Sequence, residues 1–382
     1  MRLASILSFL AWCTVPCWSE SIASSSTESS CLDSDGSAID SATKTLHNGV
    51  KIPVFLLGTA QLCMESDDPD APTGFIGILP ERGYRQIQLA LEAGVRAFDS
   101  ALNYGSHEPI RHVLGEWYRT GQLRSRKDAW ITTKVFHPHC GVCVSLWHMP
   151  TLSVMTAEQA AAATRNHVEQ SLMELNVGYV DLMLMHWPGE NDKSAEGDGA
   201  LDSSTDSAPR DKIDPTLARQ RRIAAWKVLE EFYEKGWARA IGVSNFSVRH
   251  LKELREDGAK IVPMVNQIEA SVEVQQVDIR DYCLENNIVL QAFSTLRGLN
   301  GPAKQVLEQI GNAHGKDLGQ VAFRYLYQHG YTMVFLTNSQ ARMKSNQDIF
   351  DFELSDEEMK QVDELNLPEG GGWGLPRPDD IP

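Results

Sequence analysis

The sequence is poor in several features that define particular classes of protein. Beyond residue 23, no apolar run is long enough to span a membrane. Positive charge is scarce, because 35 Lys and Arg face 51 Asp and Glu and give a formal net charge of -16 at pH 7. This balance disfavours nucleic acid or an anionic membrane as the main partner. Two of the seven cysteines precede residue 24, and an odd remainder in a large domain is not a disulfide framework.

The first 45 residues differ in composition from the rest of the chain. Residues 1–23 begin with Met1-Arg2, continue as a mostly apolar stretch and end in small residues, as a secretory signal peptide does. An uncleaved anchor or a misassigned gene start would give the same pattern. Residues 24–45 are rich in Ser, Asp and Thr and have few large apolar side chains, so we expect a disordered linker. The folded domain is then expected over 46–382.

From residue 46 onward, short apolar runs alternate with longer helical patterns. Eight such alternations predict right-handed crossovers and a (β/α)8 TIM barrel, which is an α/β fold. A doubly wound open sheet is the alternative, but no Gly-rich dinucleotide fingerprint follows the first strand. The predicted strands are 54–57, 97–99, 131–134, 182–186, 240–243, 264–267, 289–293 and 332–336. The predicted helices are 81–93, 108–119, 157–175, 218–235, 248–255, 277–286, 302–313 and 318–328.

Four polar side chains lie at or just beyond the ends of predicted strands. Asp99, Lys134 and His186 each end a strand, and Tyr104 follows Asp99 by five residues. The carboxyl ends of the strands of a parallel barrel share one mouth, so these side chains are expected to converge there. A carboxylate, a phenol, an amine and an imidazole together can move a proton onto a carbonyl oxygen.

Two long segments follow predicted strands and are therefore expected as loops at the C-terminal face of the barrel. The first, 136–155, contains HPHCGVC from residue 137, and the second, 189–215, is acidic and rich in Ser and Gly. Cys140 and Cys143 allow three interpretations: a plain loop with unpaired thiols, a disulfide, or half of a zinc site. We favour the plain loop and predict no metal site.

The motifs that surround the four polar residues resemble those of the aldo-keto reductase family. The matching segments, in order, are GVRAFD (94–99), YG (104–105), LMHWP (184–188), GVSNF (242–246), VNQIE (265–269) and DFELS (351–355). Order and spacing agree from about residue 46 to residue 365. The resemblance implies an NAD(P)H-dependent carbonyl reductase on a (β/α)8 barrel, in which the cofactor supplies the hydride.

The resemblance also implies a role for each of the four residues. Tyr104 would be the general acid, and a cationic Lys134 about 4 Å away would favour its phenolate by roughly 4 kcal/mol, or about three pKa units. Asp99 would hold Lys134, and His186 would orient the carbonyl group. Singly, each residue also has a structural interpretation: an ion pair within the barrel, a core histidine and a loop tyrosine.

The resemblance places the cofactor on the second half of the barrel. Ser244, Asn245 and Gln267 would bind the nicotinamide carboxamide, and Phe293 stands where the family usually has the tyrosine that stacks on the nicotinamide ring. The further expected cofactor contacts are Ser294, Leu296, Arg342 and Asn346. Residues 334–339 lack the lysine with which many members meet the phosphates, but Arg342 can still hold a phosphate. We expect NADPH, with NADH as the alternative.

The substrate cannot be read from the resemblance. Ala60 stands where well-studied members often carry a tryptophan, whereas Trp187 is present after His186, so we expect a pocket that is wider on one side. The expected partner is a small-molecule carbonyl, and we expect a monomer without nucleic acid or a stable membrane span. A cofactor-binding regulatory or partner-binding subunit on the same barrel is the alternative function.

The sequence gives conflicting indications of the compartment. The leader predicts the secretory pathway or the extracellular space, whereas the cysteine usage is typical of an intracellular protein. NFS at 245–247 is a glycosylation sequon, and a glycan on Asn245 would block the expected cofactor contact. A cytoplasmic location is therefore the alternative.

Overall fold

The computed structural model of the chain describes residues 42–60, 80–136, 155–189, 214–297, 299, 301–367 and 377–382. A hairpin of β1 (Thr43–Thr45) and β2 (Lys51–Pro53) precedes the barrel. The predicted leader, most of the predicted linker, and Cys140 and Cys143 lie outside the described residues. Within the described part of the chain, no helix combines the length and the apolar character needed to cross a membrane.

Eight parallel strands form a closed barrel, in which each strand pairs with the next and the last pairs with the first. They are β3 (Phe55–Gly58), β4 (Ala97–Asp99), β5 (Trp130–Val135), β6 (Leu182–Met185), β7 (Ile241–Ser244), β8 (Val265–Glu269), β9 (Val289–Phe293) and β10 (Thr332–Phe335). Each strand overlaps one that the apolar runs predict. The expected (β/α)8 barrel is confirmed, and the open sheet is not the fold of this chain.

Helices cover the outside of the barrel. In the described part of the chain they are α1 (Pro80–Glu92), α2 (His107–Arg119), α3 (Ala157–Leu175), α4 (Pro215–Glu234), α5 (Val248–Glu256), α6 (Val277–Glu285), α7 (Pro302–His314), α8 (Leu318–Gln328), α9 (Gln340–Ser345) and α10 (Asp356–Asp363). Capping boxes start several of them, because a side chain at the cap accepts a backbone N–H of the first turn. Thr156 caps α3 and Ser355 caps α10 in this way.

The amino ends of the strands are closed by apolar side chains. Leu46 and Ile52, from the hairpin, are buried against Trp130, Ala240 and other residues at these ends. These apolar side chains fill the core of the barrel at this end. The opposite, carboxyl-terminal mouth is therefore where the polar side chains of the strands gather.

Two short elements illustrate where the structure differs from the sequence-based expectation. The predicted linker, 24–45, ends in residues that are not disordered, because Thr43–Thr45 form β1 and pair with β2. The six-residue helix α9 was not predicted, although it carries Arg342. Both elements are too short to show a hydrophobic period, which is the main signal of secondary structure in a sequence.

Candidate active site

A buried ion pair lies at the centre of the carboxyl-terminal mouth. Lys134 Nζ donates to both carboxylate oxygens of Asp99, at 2.6 and 2.5 Å, and to the carbonyl oxygen of Ser100 at 3.0 Å. The two side chains are 1% and 2% exposed. Gln267 Nε2 donates to the same carboxylate at 3.0 Å. The charges are thus paired and hydrogen-bonded, as buried charges must be.

Two opposing effects act on the ammonium group of Lys134. Burial lowers the pKa of Lys134, because desolvation disfavours the charged form, and the neighbouring Asp99 carboxylate raises it. The direct contacts with both carboxylate oxygens hold the charge in place. A fixed positive charge therefore lies beside the mouth.

Tyr104 lies next to this charge and next to His186. The single turn of 3-10 helix Leu102–Tyr104, directly beyond β4, carries the tyrosine. Its hydroxyl oxygen lies 3.2 Å from His186 Nε2, and Lys134 Nζ lies 4.8 Å from the centre of its ring. The four residues that the strand ends predict are thus brought together.

His186 is buried and held in place by its neighbours. Burial lowers the pKa of His186 well below the usual value, and the Lys134 cation lowers it further. Phe136 stacks on the imidazole at 5.7 Å between ring centres, and Asn245 Nδ2 donates to the His186 carbonyl oxygen at 3.0 Å. The imidazole is therefore neutral at neutral pH.

Three hydroxyl groups fix the turn that carries Tyr104. Ser106 Oγ lies 2.8 Å from Thr59 Oγ1 and 2.8 Å from Ser100 Oγ, and Thr59 Oγ1 donates to the Asp99 carbonyl oxygen. Ser106 follows Tyr104 by two residues, so this network ties the turn to the ends of β3 and β4. No sequence pattern predicts this network, because small hydroxyl residues are common in all loops.

Amide side chains gather at the ends of β7 and β8. Gln267 Nε2 donates to Gln291 Oε1 at 2.6 Å as well as to Asp99, and Ser244 Oγ donates to the Gln267 carbonyl oxygen at 2.9 Å. Asn245 has the left-handed backbone angle φ 62°, and its Nδ2 donates to His186 and to Ser244 Oγ. Their amide nitrogens are engaged within the protein, which leaves their amide oxygens to act as acceptors.

The remaining residues expected to bind the cofactor follow β9 and β10. Phe293 and Ser294 are half-buried at the end of β9, and Leu296 is 37% exposed. Arg342 is exposed on α9, and the buried Asn346 caps the end of that helix. These residues form a second group of expected cofactor contacts, on the β9–β10 side of the mouth.

Comparison with known proteins agrees with this arrangement. A model described as the aldo/keto reductase family matches residues 77–367. The chain belongs to this family. It is therefore an NAD(P)H-dependent oxidoreductase that reduces an aldehyde or a ketone.

Relatives of this aldo-keto reductase are found among plant, bacterial and insect proteins. NADPH-dependent codeinone reductase 1-2 of Papaver somniferum is 33% identical over 328 residues, which cover 84% of this chain and 88% of that protein. Glyoxal reductase of Bacillus subtilis (strain 168) is 32% identical over 339 residues, which cover 89% and 97%. The crystal structure of a silkworm aldo-keto reductase complexed with NADPH matches with a TM-score of 0.62 at 29% identity, over 86% of this chain and 88% of that chain.

The two residues that the sequence predicts to line the substrate pocket lie just beyond strand ends. Ala60 follows β3 and Trp187 follows β6, and both are half-buried. The Trp187 ring stacks on the His186 imidazole, with 6.5 Å between the ring centres, so it lies beside the four polar residues of the mouth. Across the described ranges no group of His, Cys, Asp or Glu is arranged to hold a metal ion.

Proposed function

We propose that Tyr104 is the general acid with which this aldo-keto reductase reduces its carbonyl substrate. The observation that supports the proposal is the meeting of Tyr104, Lys134, Asp99 and His186 in one mouth, within hydrogen-bonding and ring contacts of each other. A free tyrosine titrates near pKa ~10 and is a poor acid at neutral pH. The adjacent Lys134 ammonium favours the phenolate and makes proton donation easier.

The neutral His186 has a defined task in this proposal. Its Nδ1 is buried without a partner among the described residues, and an unpaired N–H there would cost about 1–3 kcal/mol. The ring proton is therefore placed on Nε2, which lies 3.2 Å from the Tyr104 oxygen. His186 then donates a hydrogen bond into the mouth, where it steadies both the phenol oxygen and the substrate carbonyl oxygen.

The chemistry of the residues fits a nicotinamide cofactor. The amide oxygens of Asn245 and Gln267 are acceptors, as a carboxamide NH2 group requires, and the half-buried Phe293 offers a ring face. NADPH, when bound, supplies the hydride that reduces the carbonyl carbon. Tyr104 donates the proton to the substrate carbonyl oxygen. Lys134 favours the phenolate that results, and His186 donates a hydrogen bond to the carbonyl oxygen.

We infer that NADPH is preferred over NADH. Arg342 lies exposed on α9, where a guanidinium can hold a phosphate by two hydrogen bonds. The related codeinone reductase is named as NADPH-dependent, and the silkworm structure contains NADPH. The substrate is proposed only as a class, aldehydes and ketones, because these relatives are named for substrates as different as codeinone and glyoxal.

Oxidation of NADPH and NADH by the full chain, with a panel of aldehydes and ketones, tests the proposed function. Turnover on at least one carbonyl is expected. Cofactor binding without turnover on any of them would instead favour a regulatory or partner-binding barrel.

Arg342→Ala tests the cofactor preference. Loss of hydrogen bonds to a charged group is expected to weaken NADPH binding about tenfold or more, while NADH binding changes little. Lys344→Ala removes one positive charge from the same exposed helix and serves as the control. Equal losses for both cofactors, or for both variants, would contradict the assignment of Arg342.

A further inference from the structure

A buried arginine outside the four-residue site joins two segments near the mouth. Arg222, on α4, is 1% exposed, and its Nε donates to the Pro188 carbonyl oxygen at 2.9 Å. Its Nη2 donates to a backbone oxygen of Pro382 at 2.5 Å, and its Nη1 donates to the Glu253 carboxylate. The guanidinium therefore bridges the segment after β6 and the last described segment, 377–382.

The second segment is held by further contacts. The Ile381 carbonyl oxygen accepts from Arg249 and from His250 Nε2, the latter at 3.0 Å. The Ile381 side chain is buried and packs so close to Gly189 that a Cβ added there would lie 3.3 Å from it. The two segments are thus in direct contact, with Arg222 bonded to both.

The cost of burying this arginine indicates that its contacts matter. Burial lowers the pKa of Arg222 to about 10, and the Glu253 carboxylate opposes this effect, so the side chain stays charged at neutral pH. A buried charge destabilises a protein unless its hydrogen bonds are satisfied. Arg222 donates hydrogen bonds from three of its nitrogens, two of them to backbone oxygens.

We propose that Arg222 is a positioning residue for the substrate side of the pocket. Arg222 holds the backbone of Pro188, directly after Trp187, by a hydrogen bond and connects it to the segment 377–382. Asn245 fixes the same stretch at the carbonyl oxygen of His186, so the stretch that carries Trp187 is held at both ends. The proposal rests on the proposed function, because it assigns Trp187 to the carbonyl substrate.

Arg222→Lys tests the proposal, because it keeps the charge and removes the fork of donors. The variant is expected to raise KM for a carbonyl substrate about tenfold, with kcat and the NADPH Kd nearly unchanged, since it disturbs substrate binding alone. Arg219→Lys is the matched control: Arg219 also joins α4 to the end of α5, through Asp257, and its hydrogen bonds go to Asp257 and Glu256, which belong to neither segment. The Arg219→Lys variant is expected to leave the KM for the carbonyl substrate unchanged.

Ile381→Ala changes the same contact from the side of the second segment. It carries a smaller risk of misfolding than Arg222→Lys. It is expected to raise KM in the same direction as Arg222→Lys. An unchanged KM in both variants, or an equal rise in the Arg219→Lys control, would overturn the proposal.

Hydrogen exchange separates this proposal from the proposed function. Arg222→Lys is expected to speed exchange in peptides that cover 186–189 and 377–382 together, whether or not the enzyme turns over. Faster exchange in only one of them would show that Arg222 does not couple the segments. Failure of the wild-type chain to reduce any carbonyl would instead count against the proposed function.

Discussion

At the scale of single residues, the ion pair of Lys134 and Asp99 has the largest expected effect on stability. Lys134→Met would leave the Asp99 carboxylate buried without a cation, which is expected to lower the free energy of unfolding by about 3–5 kcal/mol. Adding Asp99→Asn removes the orphaned charge and is expected to recover part of that loss. Urea unfolding of the single and double variants measures both effects. A double variant that loses the sum of the two single losses would contradict the pairing.

The four residues of the mouth could be predicted because each is tied to a strand end. Apolar runs locate the strands, and a parallel barrel brings their carboxyl ends together. Gln291, Ser106 and Arg222 could not be found in this way. Each has a partner far away in the sequence, at a separation of 24 residues for Gln291, 47 for Ser106 and 160 for Arg222, and no local pattern marks such contacts.

At the scale of elements, Gly242 in β7 marks a close approach between strands. A Cβ added there would lie 2.5 Å from the carbonyl oxygen of Val265 and 2.8 Å from Leu184 Cδ2. Gly242→Ala is expected to push β7 away from β8 and to cost about 1–3 kcal/mol in the free energy of unfolding. It should also weaken NADPH binding, because Ser244 ends the same strand.

Gly115→Ala is the control for this substitution. Gly115 lies in α2, and a Cβ added there meets nothing within 4 Å. This variant is expected to be stabilised by about 0.5–1 kcal/mol, because alanine favours a helix interior. Thermal or urea unfolding distinguishes the two. A neutral or stabilising Gly242→Ala would show that the strands can separate without cost.

The elements themselves were predicted to different extents. The helices α3 and α8 have the predicted bounds, because their capping residues and apolar periods are clear. The hairpin of β1 and β2 was missed, since strands of three residues in a Thr- and Lys-rich stretch show no alternation. Its position depends on Leu46 and Ile52 closing the barrel, which is a property of the whole fold.

At the scale of the whole molecule, buried histidines make stability depend on pH. Burial lowers the pKa of His186 well below its usual value, and it lowers the pKa of His250 to about 2, with Arg222 and Arg249 adding to the effect. The unfolded chain binds these protons near pH ~6.5, whereas the folded chain does not. The contribution of these histidines to the free energy of unfolding is therefore fully present above that pH. It falls on acidification, by up to about 1.4 kcal/mol per pH unit for each histidine.

His250→Gln isolates one of these contributions. The difference in the free energy of unfolding between wild type and variant is expected to shrink from about pH 7 to about pH 5, because only the wild type loses the histidine contribution. Urea unfolding at several pH values provides the measurement. A difference that is independent of pH would mean that His250 titrates alike in the folded and unfolded states.

The central claim is that Tyr104 donates the proton, and the most direct test is the turnover of Tyr104→Phe with NADPH and a reactive aldehyde. The variant is expected to lose about 10²–10⁴-fold in kcat, which is the usual contribution of a general acid, while NADPH binding stays intact. Tyr118→Phe removes a hydroxyl group from α2, away from the mouth, and is expected to change nothing. Turnover of Tyr104→Phe within about tenfold of wild type would contradict the account, because another group would then have to supply the proton.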